Sequence, residues 1–228
     1  MAATDQQYSC SPLDIRSAGI FTSGDHAIIG LSPGNGYFTA RRITELAGWA
    51  KSHFASMTFV ALGEPFMGNL MAEGYSIEQA EISSARRERS LLNRARRALQ
   101  AHEVSGTTSG VANWSDLCAI PSYRDSLALV KETFRTSVEF ASAITQLTTE
   151  YLSTKQMVGD MPMTQRVEMA TGYYLAELPL WLDAPRIFGQ PTSSFCYQSA
   201  SRFIERLWSG EFPISPAKTQ GYLSITRA

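Results

Sequence analysis

Residues 27–38 read AIIGLSPGNGYF. An apolar run, Ala27 to Ile29, meets a glycine-rich turn, Gly30-Leu31-Ser32-Pro33-Gly34. Downstream, Ile43, Leu46, Ala47, Ala50 and Phe54 form one stripe of an amphipathic helix expected over Thr39–Phe54. Met57–Leu62 is the next apolar run and is expected to be a parallel partner strand. A buried strand, a turn, a helix and another buried strand is how an α/β fold begins, with a mostly parallel sheet covered on both faces.

The rest of the chain continues that alternation. Gly19–Thr22 reads as a short buried strand, and Gly63–Gly74, with Pro65 and two further glycines, as a loop. Ser76 with Gln79 three residues on has the pattern of a capping box and opens a long helix. Gly106–Ser115 is polar and glycine-rich and reads as a loop. Tyr123–Thr154 is helical, with Leu127, Val130, Phe134, Val138, Phe140, Ile144 and Leu147 as core candidates, and Gly159–Pro162 breaks it. Thr164–Leu178 is a helix that Pro179 is expected to end. Ser194–Gln198, Ala200–Trp208 and Tyr222–Thr226 read as strand, helix and strand.

The chain of 228 residues suits one domain over 1–228, with 1–15 expected to be a flexible N-terminus. Apolar residues are 44% and charged residues 18%, enough for a substantial core. No run is long enough to span a membrane, and the opening residues lack the basic and apolar regions of a signal peptide. Cys10, Cys118 and Cys196 are widely spaced and odd in number, which fits a cytoplasmic protein. His26, His53 and His102 are isolated, so no metal site is expected.

Gly30 to Gly34 has the letters of a G-x-S-x-G nucleophile elbow. Two features argue against a serine esterase or hydrolase. That elbow uses the backbone N–H after the nucleophile, where this chain has Pro33. Its histidine comes late in the chain, and none follows His102 here. Ser32 could instead cap the following helix. That alternative leaves Gly30 and Gly34 unexplained, whereas glycines on both sides of a reactive serine would let a bulky ligand approach.

Two other stretches carry chemistry. In GYYLAELPLWL, Tyr173 and Glu177 stand at i and i+4 on one helix face. Leu175, Leu178, Leu180 and Trp181 surround Glu177, and a carboxylate among such neighbours is costly to bury unless a cation or donor meets it. It is either an exposed or paired structural acid, or a site acid for a substrate ammonium. Between Ala85 and Gln100, Arg86, Arg87, Arg89, Arg94, Arg96 and Arg97 oppose the single acid Glu88, a net of +5 in a chain whose whole charge is −1. Arginine suits bidentate phosphate contacts, so this helix is either a solvated face or a contact for a polyanion. A non-catalytic RNA-binding module would need nothing more.

Together these stretches resemble the cyclodipeptide synthases, enzymes that make diketopiperazines from two aminoacyl-tRNAs. IGLSPGNGYF is similar to the family's nucleophile motif, with Gly30, Ser32 and Asn35 in register. YYLAELP is similar to its Tyr-x-x-x-Glu segment, and SSFCYQ to its last motif, giving Tyr197 and Gln198. Asn35, Tyr197 and Gln198 resemble the subgroup named for Asn-Tyr-Gln. Ser199 and Ala200 follow, so no acid role is carried into that loop.

The resemblance implies a single Rossmann-like domain similar to class I aminoacyl-tRNA synthetase catalytic domains. No P-loop or synthetase ATP motif is found, and no cofactor is expected, because the substrate arrives as an activated ester. It implies ping-pong acyl transfer through aminoacyl- and dipeptidyl-Ser32, with Tyr173, Glu177 and Tyr197 as the other catalytic groups. Gly30, Asn35 and Gln198 would contact substrates. Ile28, Val60, Leu180 and Phe195 would line an apolar pocket for the first amino acid, and the six arginines would hold tRNA. A monomer is implied.

Overall fold

The computed structural model describes residues 8–104 and 110–227. Within them one sheet is built from β1 (Tyr8–Pro12), β2 (His26–Gly30), β3 (Ser56–Ala61), β4 (Gly110–Asn113), β5 (Ser193–Tyr197) and β6 (Gln220–Arg227), in the order β1-β6-β5-β2-β3-β4. β2 and β3 are buried along their whole length. Strands with no solvated face belong inside a parallel sheet, covered on both sides. All pairings are parallel except that of β1 with β6.

The helices are α1 (Ile15–Ser23), α2 (Ala40–His53), α3 (Gly63–Glu73), α4 (Ile77–Ala101), α5 (Trp114–Ala119), α6 (Pro121–Thr136), α7 (Val138–Ser153), α8 (Met163–Phe188) and α9 (Arg202–Trp208). They pack into two principal cores. Ile29, Phe59, Ile43 and Leu46 belong to one, while Ile28, Val60, Phe195 and Leu180 belong to the other. Neighbouring residues of β2 and β3 thus face opposite layers, as strand alternation requires. β3 lies on one side of β2 and β5 on the other, so the strand order reverses beside β2. In open α/β sheets the crevice at the strand carboxyl ends of such a switch point is where ligands bind.

Several expectations are corrected. The segment expected to be a strand over 19–22 lies in α1, where Asp14 accepts from Ser17 N (2.7 Å) at one end and Gly24, at φ 65°, stops the helix. Of the expected flexible N-terminus, 1–7 lie outside the described residues, whereas Tyr8–Pro12 is paired as an edge strand and Tyr8 OH donates to Glu45 Oε2 (3.1 Å). The expected loop over 106–115 lies partly outside the described residues; Gly110–Asn113 pairs with β3, and an Asn113/Asp116 capping box starts α5. Tyr123–Thr154 divides at Ser137, and Val138 is exposed rather than core.

Pro179 does not end α8. The helix continues to Phe188, with its non-helical residue at Asp183. Chain segments near β6 satisfy the backbone there: Gln220 Oε1 accepts from Ala184 N (2.9 Å), and Ala217 N donates to Leu182 O (2.7 Å).

The expected loop over 63–74 is α3. Pro65 falls in its first turn, where proline is tolerated, and Gly74, at φ 109°, terminates it. Gly68 faces the backbone of α8: a Cβ there would stand 2.2 Å from Met169 O. Backbone cannot swing aside, so Gly68→Ala should cost about 2–4 kcal/mol, read as a lower urea midpoint at constant slope. Gly172→Ala, on α8 with nothing near the added carbon, should be neutral or gain up to about 1 kcal/mol.

Candidate active site

Ser32 follows β2 and Tyr197 ends β5, so the switch point brings the two together. Their hydroxyls share a 2.9 Å hydrogen bond. Asn35 Nδ2 donates to Tyr197 OH (3.3 Å), and Asn35 Oδ1 accepts from Tyr37 N (2.9 Å), which fixes the amide. Asn35 N also donates to Ser32 O (3.0 Å), closing a turn. Ser32 therefore does not cap α2. Thr39 does, accepting from Arg42 N. The strand–turn–helix elbow is absent.

These groups line a cavity of about 430 Å³. α8 supplies Tyr173, Tyr174, Glu177 and Trp181; β5 and its loop supply Phe195, Tyr197 and Gln198. Glu177 is buried, and among the described residues no hydrogen bond or ion pair meets its carboxylate. Burial raises its pKa to about 8. Tyr173 is raised well above the usual phenol range by burial and then by the charge of Glu177, while Ser32 partly offsets this. Burial and then Glu177 also raise Tyr197. A buried carboxyl facing open space, with phenols around a primary hydroxyl, can hold a substrate ammonium beside a nucleophile.

None of the three histidines lines the cavity. His26 is bound between Ser193 and Thr58, His53 lies against Trp49 O, and His102 against Thr44 O. Among the described residues no histidine pairs with Ser32.

The flanking glycines have a packing reason as well. A Cβ on Gly30 would stand 2.7 Å from Phe195 Cζ and 3.5 Å from Glu177 Oε1; one on Gly34 would stand 2.7 Å from Phe66 and 3.0 Å from Tyr151 OH. Aromatic rings occupy the space the glycines leave. Ile28, Val60 and Leu180 are buried in the core with Phe195, and of these four only Phe195 reaches the cavity surface. The structure places Ile28, Val60 and Leu180 in the core beside the cavity wall.

Sequence reasoning missed Phe66, Asn69, Tyr151, Lys155, Tyr174 and Trp181. A helical signal for one of them was present: Trp181 follows Tyr173 and Glu177 at every fourth residue along α8. Phe66 and Asn69 were hidden by the reading of α3 as a loop.

The capping box at Ser76 and Gln79 starts α4 as expected. Ala80, Ser84, Leu91, Leu92, Ala95, Ala98 and Leu99 are buried. Opposite them Arg86, Arg89, Arg96 and Arg97 are exposed, while Arg87 and Arg94 are half-buried. None of the six takes part in an ion pair among the described residues. Glu88, the acid within the run, accepts from Gly63 N (2.8 Å) and caps α3 instead.

The parallel sheet, its switch-point cavity and the flanking helices define a Rossmann-like α/β protein. The cyclodipeptide synthase family model matches residues 8–227. The chain belongs to the cyclodipeptide synthase family and is an enzyme. It is 29% identical over 210 residues to the cyclo(L-leucyl-L-phenylalanyl) synthase of Streptomyces noursei, covering 92% of this chain and 88% of that one. It is 27% identical over 207 residues to the cyclo(L-tyrosyl-L-tyrosyl) synthase of Mycobacterium tuberculosis, covering 91% and 72%. A solved Mycobacterium tuberculosis structure, reported to show that cyclodipeptide synthetases are related to type I tRNA synthetases, superposes with a TM-score of 0.88 at 25% identity, covering 100% and 96%. A Bacillus thermoamylovorans cyclodipeptide synthase shares the fold with a TM-score of 0.91 at 22% identity, covering 99% and 98%.

No helix among the described residues is long and apolar enough to cross a membrane, and no group of three or more metal-ligating side chains occurs among them.

Proposed function

We propose that this cyclodipeptide synthase joins two aminoacyl groups carried by tRNA through a covalent intermediate on Ser32. The observation that carries the reading is the Ser32–Tyr197 hydroxyl pair inside a cavity that also holds Glu177 and no histidine. Ser32 Oγ attacks the ester carbonyl of the first aminoacyl-tRNA. The Oγ–acyl bond forms, the bond to the ribose oxygen breaks, and the serine proton ends on that oxygen. An activated ester with its own proton acceptor makes a histidine unnecessary.

Glu177, ionised when a substrate ammonium binds beside it, holds that ammonium, and Tyr173 orients the acyl group. The amine of the second aminoacyl-tRNA attacks the acyl carbon on Ser32: the peptide bond forms, the Oγ–acyl bond breaks, and the amine proton returns to Ser32 Oγ, leaving a dipeptide on the second tRNA. Ser32 Oγ then attacks that dipeptidyl ester carbonyl, the bond to the second ribose oxygen breaks with the serine proton going to that oxygen, and a dipeptidyl group rests on Ser32. The free amine of the dipeptide attacks the remaining ester carbonyl, closes the six-membered ring and returns the proton to Ser32. Tyr197 assists this last proton transfer, and Asn35 and Gln198 hydrogen-bond the substrates. The exposed arginines of α4 take the tRNA phosphates.

The aromatic cavity wall, and relatives named for leucine, phenylalanine and tyrosine, support apolar amino acids as substrates. It acts as a monomer in the cytoplasm, where charged tRNA is found. Expression in a bacterium with mass spectrometry of the culture medium tests the reading. A diketopiperazine that is present with the wild type and absent with Ser32→Ala is expected. A diketopiperazine made equally by both strains would overturn it.

A further inference from the structure

Arg87 and Arg94 stand two turns apart on one shoulder of α4, at ~100° per residue, between its buried face and its exposed arginines. Both are spent inward. The Arg87 guanidinium lies over the Phe66 ring at 5.7 Å, and Phe66 meets Tyr173 edge-on at 5.7 Å. Arg94 donates to Phe38 O (3.0 Å), and the Phe38 ring lies 5.9 Å from that of Tyr197. Phe66 and Phe38 are both buried. Two parallel struts therefore run from one edge of the arginine helix, each through a phenylalanine, to the two tyrosines beside Ser32. The space left by Gly34 receives the tip of Phe66, so the first strut also abuts the nucleophile turn.

We infer that Arg87 and Arg94 are positioning residues, bracing Tyr173 through Phe66 and Tyr197 through Phe38, while Arg86, Arg89, Arg96 and Arg97 supply the phosphate contacts. This inference rests on the reading of α4 as the tRNA-binding helix. It divides six arginines of one run into two functions that differ kinetically. Loss of a phosphate contact weakens binding uniformly, whereas loss of a brace lets a site tyrosine drift and lowers the rate of the bound complex.

Single-turnover acylation of Ser32 tests it, using the radiolabelled aminoacyl-tRNA, out of all twenty, that labels the wild type best. Arg87→Met and Arg94→Met should each lower the maximal rate about tenfold, with half-saturation changed less than about twofold. Arg97→Met should do the reverse. Phe66→Leu should match Arg87→Met, and the double variant should be no slower than either single one, because both cut the same strut. Arg87→Met changes a half-exposed side chain and keeps the test readable if Phe66→Leu does not fold. The inference is overturned if Arg87→Met and Arg94→Met shift half-saturation alone, as Arg97→Met does, or if Phe66→Leu with Arg87→Met is about a hundredfold slower. If no charged tRNA labels wild-type Ser32, the tRNA reading itself falls, and this inference with it.

Discussion

Ser32→Ala is expected to make no detectable cyclic dipeptide while keeping its fold. The substitution deletes the primary hydroxyl that pairs with Tyr197, and the acyl group then has nowhere to rest between the two tRNAs. A fall on the order of 10³-fold or more is expected. Stability should change by less than about 1 kcal/mol, because the Tyr197 hydroxyl retains the Asn35 amide at 3.3 Å. Product by mass spectrometry and the thermal midpoint, measured on the same preparation, check both halves. A loss of product accompanied by unfolding would assign Ser32 to structure instead.

Glu177→Gln carries the second large effect, in two opposite directions. For activity, the amide keeps the shape of the side chain but cannot become the anion that holds an ammonium, so cyclic dipeptide formation should fall on the order of 10²-fold or more. For stability the substitution should help at high pH. Burial holds the folded pKa at about 8, above the usual carboxylate range, so between the two the native state keeps a proton that the unfolded chain has lost. The contribution of Glu177 is therefore full below the unfolded pKa of ~4.3 and is lost as pH rises through about 8. Glutamine does not titrate. Relative to the wild type, Glu177→Gln should gain stability between pH 5 and pH 8.5 by on the order of a few kcal/mol, read from denaturant midpoints at both pH values. A pH-independent difference would show that the carboxyl is ionised throughout.

How much of this was legible in the chain depended on how local each signal was. β2 and β3 were readable because strands buried on both faces are continuous apolar runs between turn residues. The capping box at Ser76 and Gln79 marked the start of α4 by side chains alone. α3 was missed for the opposite reason. Its glycines and Pro65 look like loop composition, but Gly68 is needed for close approach to α8, and the cap at Gly63 N is Glu88 from another helix. α8 runs past Pro179 and bends at Asp183, where Ala184 N and Leu182 O are bonded to segments near β6 that are distant in sequence. Asp14 and Gly24 were the missed local signals for α1, since the apolar run between them is too short for its period to separate helix from strand.

The site divides in the same way. Ser32, Asn35, Tyr173, Glu177, Tyr197 and Gln198 sit in short motifs, and the structure brings all six into one cavity. The amino-acid pocket was harder to read. Ile28, Val60 and Leu180 share a buried core with Phe195, whose ring tip fills the space beside Gly30, and such packing cannot be read from spacing along the chain. The arginine run showed its charge but not its division, because the partners of Arg87 and Arg94 lie on α3 and in the loop before α2.

The central claim is that Ser32 carries the aminoacyl group. The most direct test incubates the purified protein briefly with each of the charged tRNAs, quenches in acid and maps the mass of the peptide containing Ser32. The account predicts an added aminoacyl mass on that peptide from at least one tRNA, absent from Ser32→Ala and discharged when a second aminoacyl-tRNA is supplied. An adduct on a different residue, or none from any charged tRNA, would contradict it.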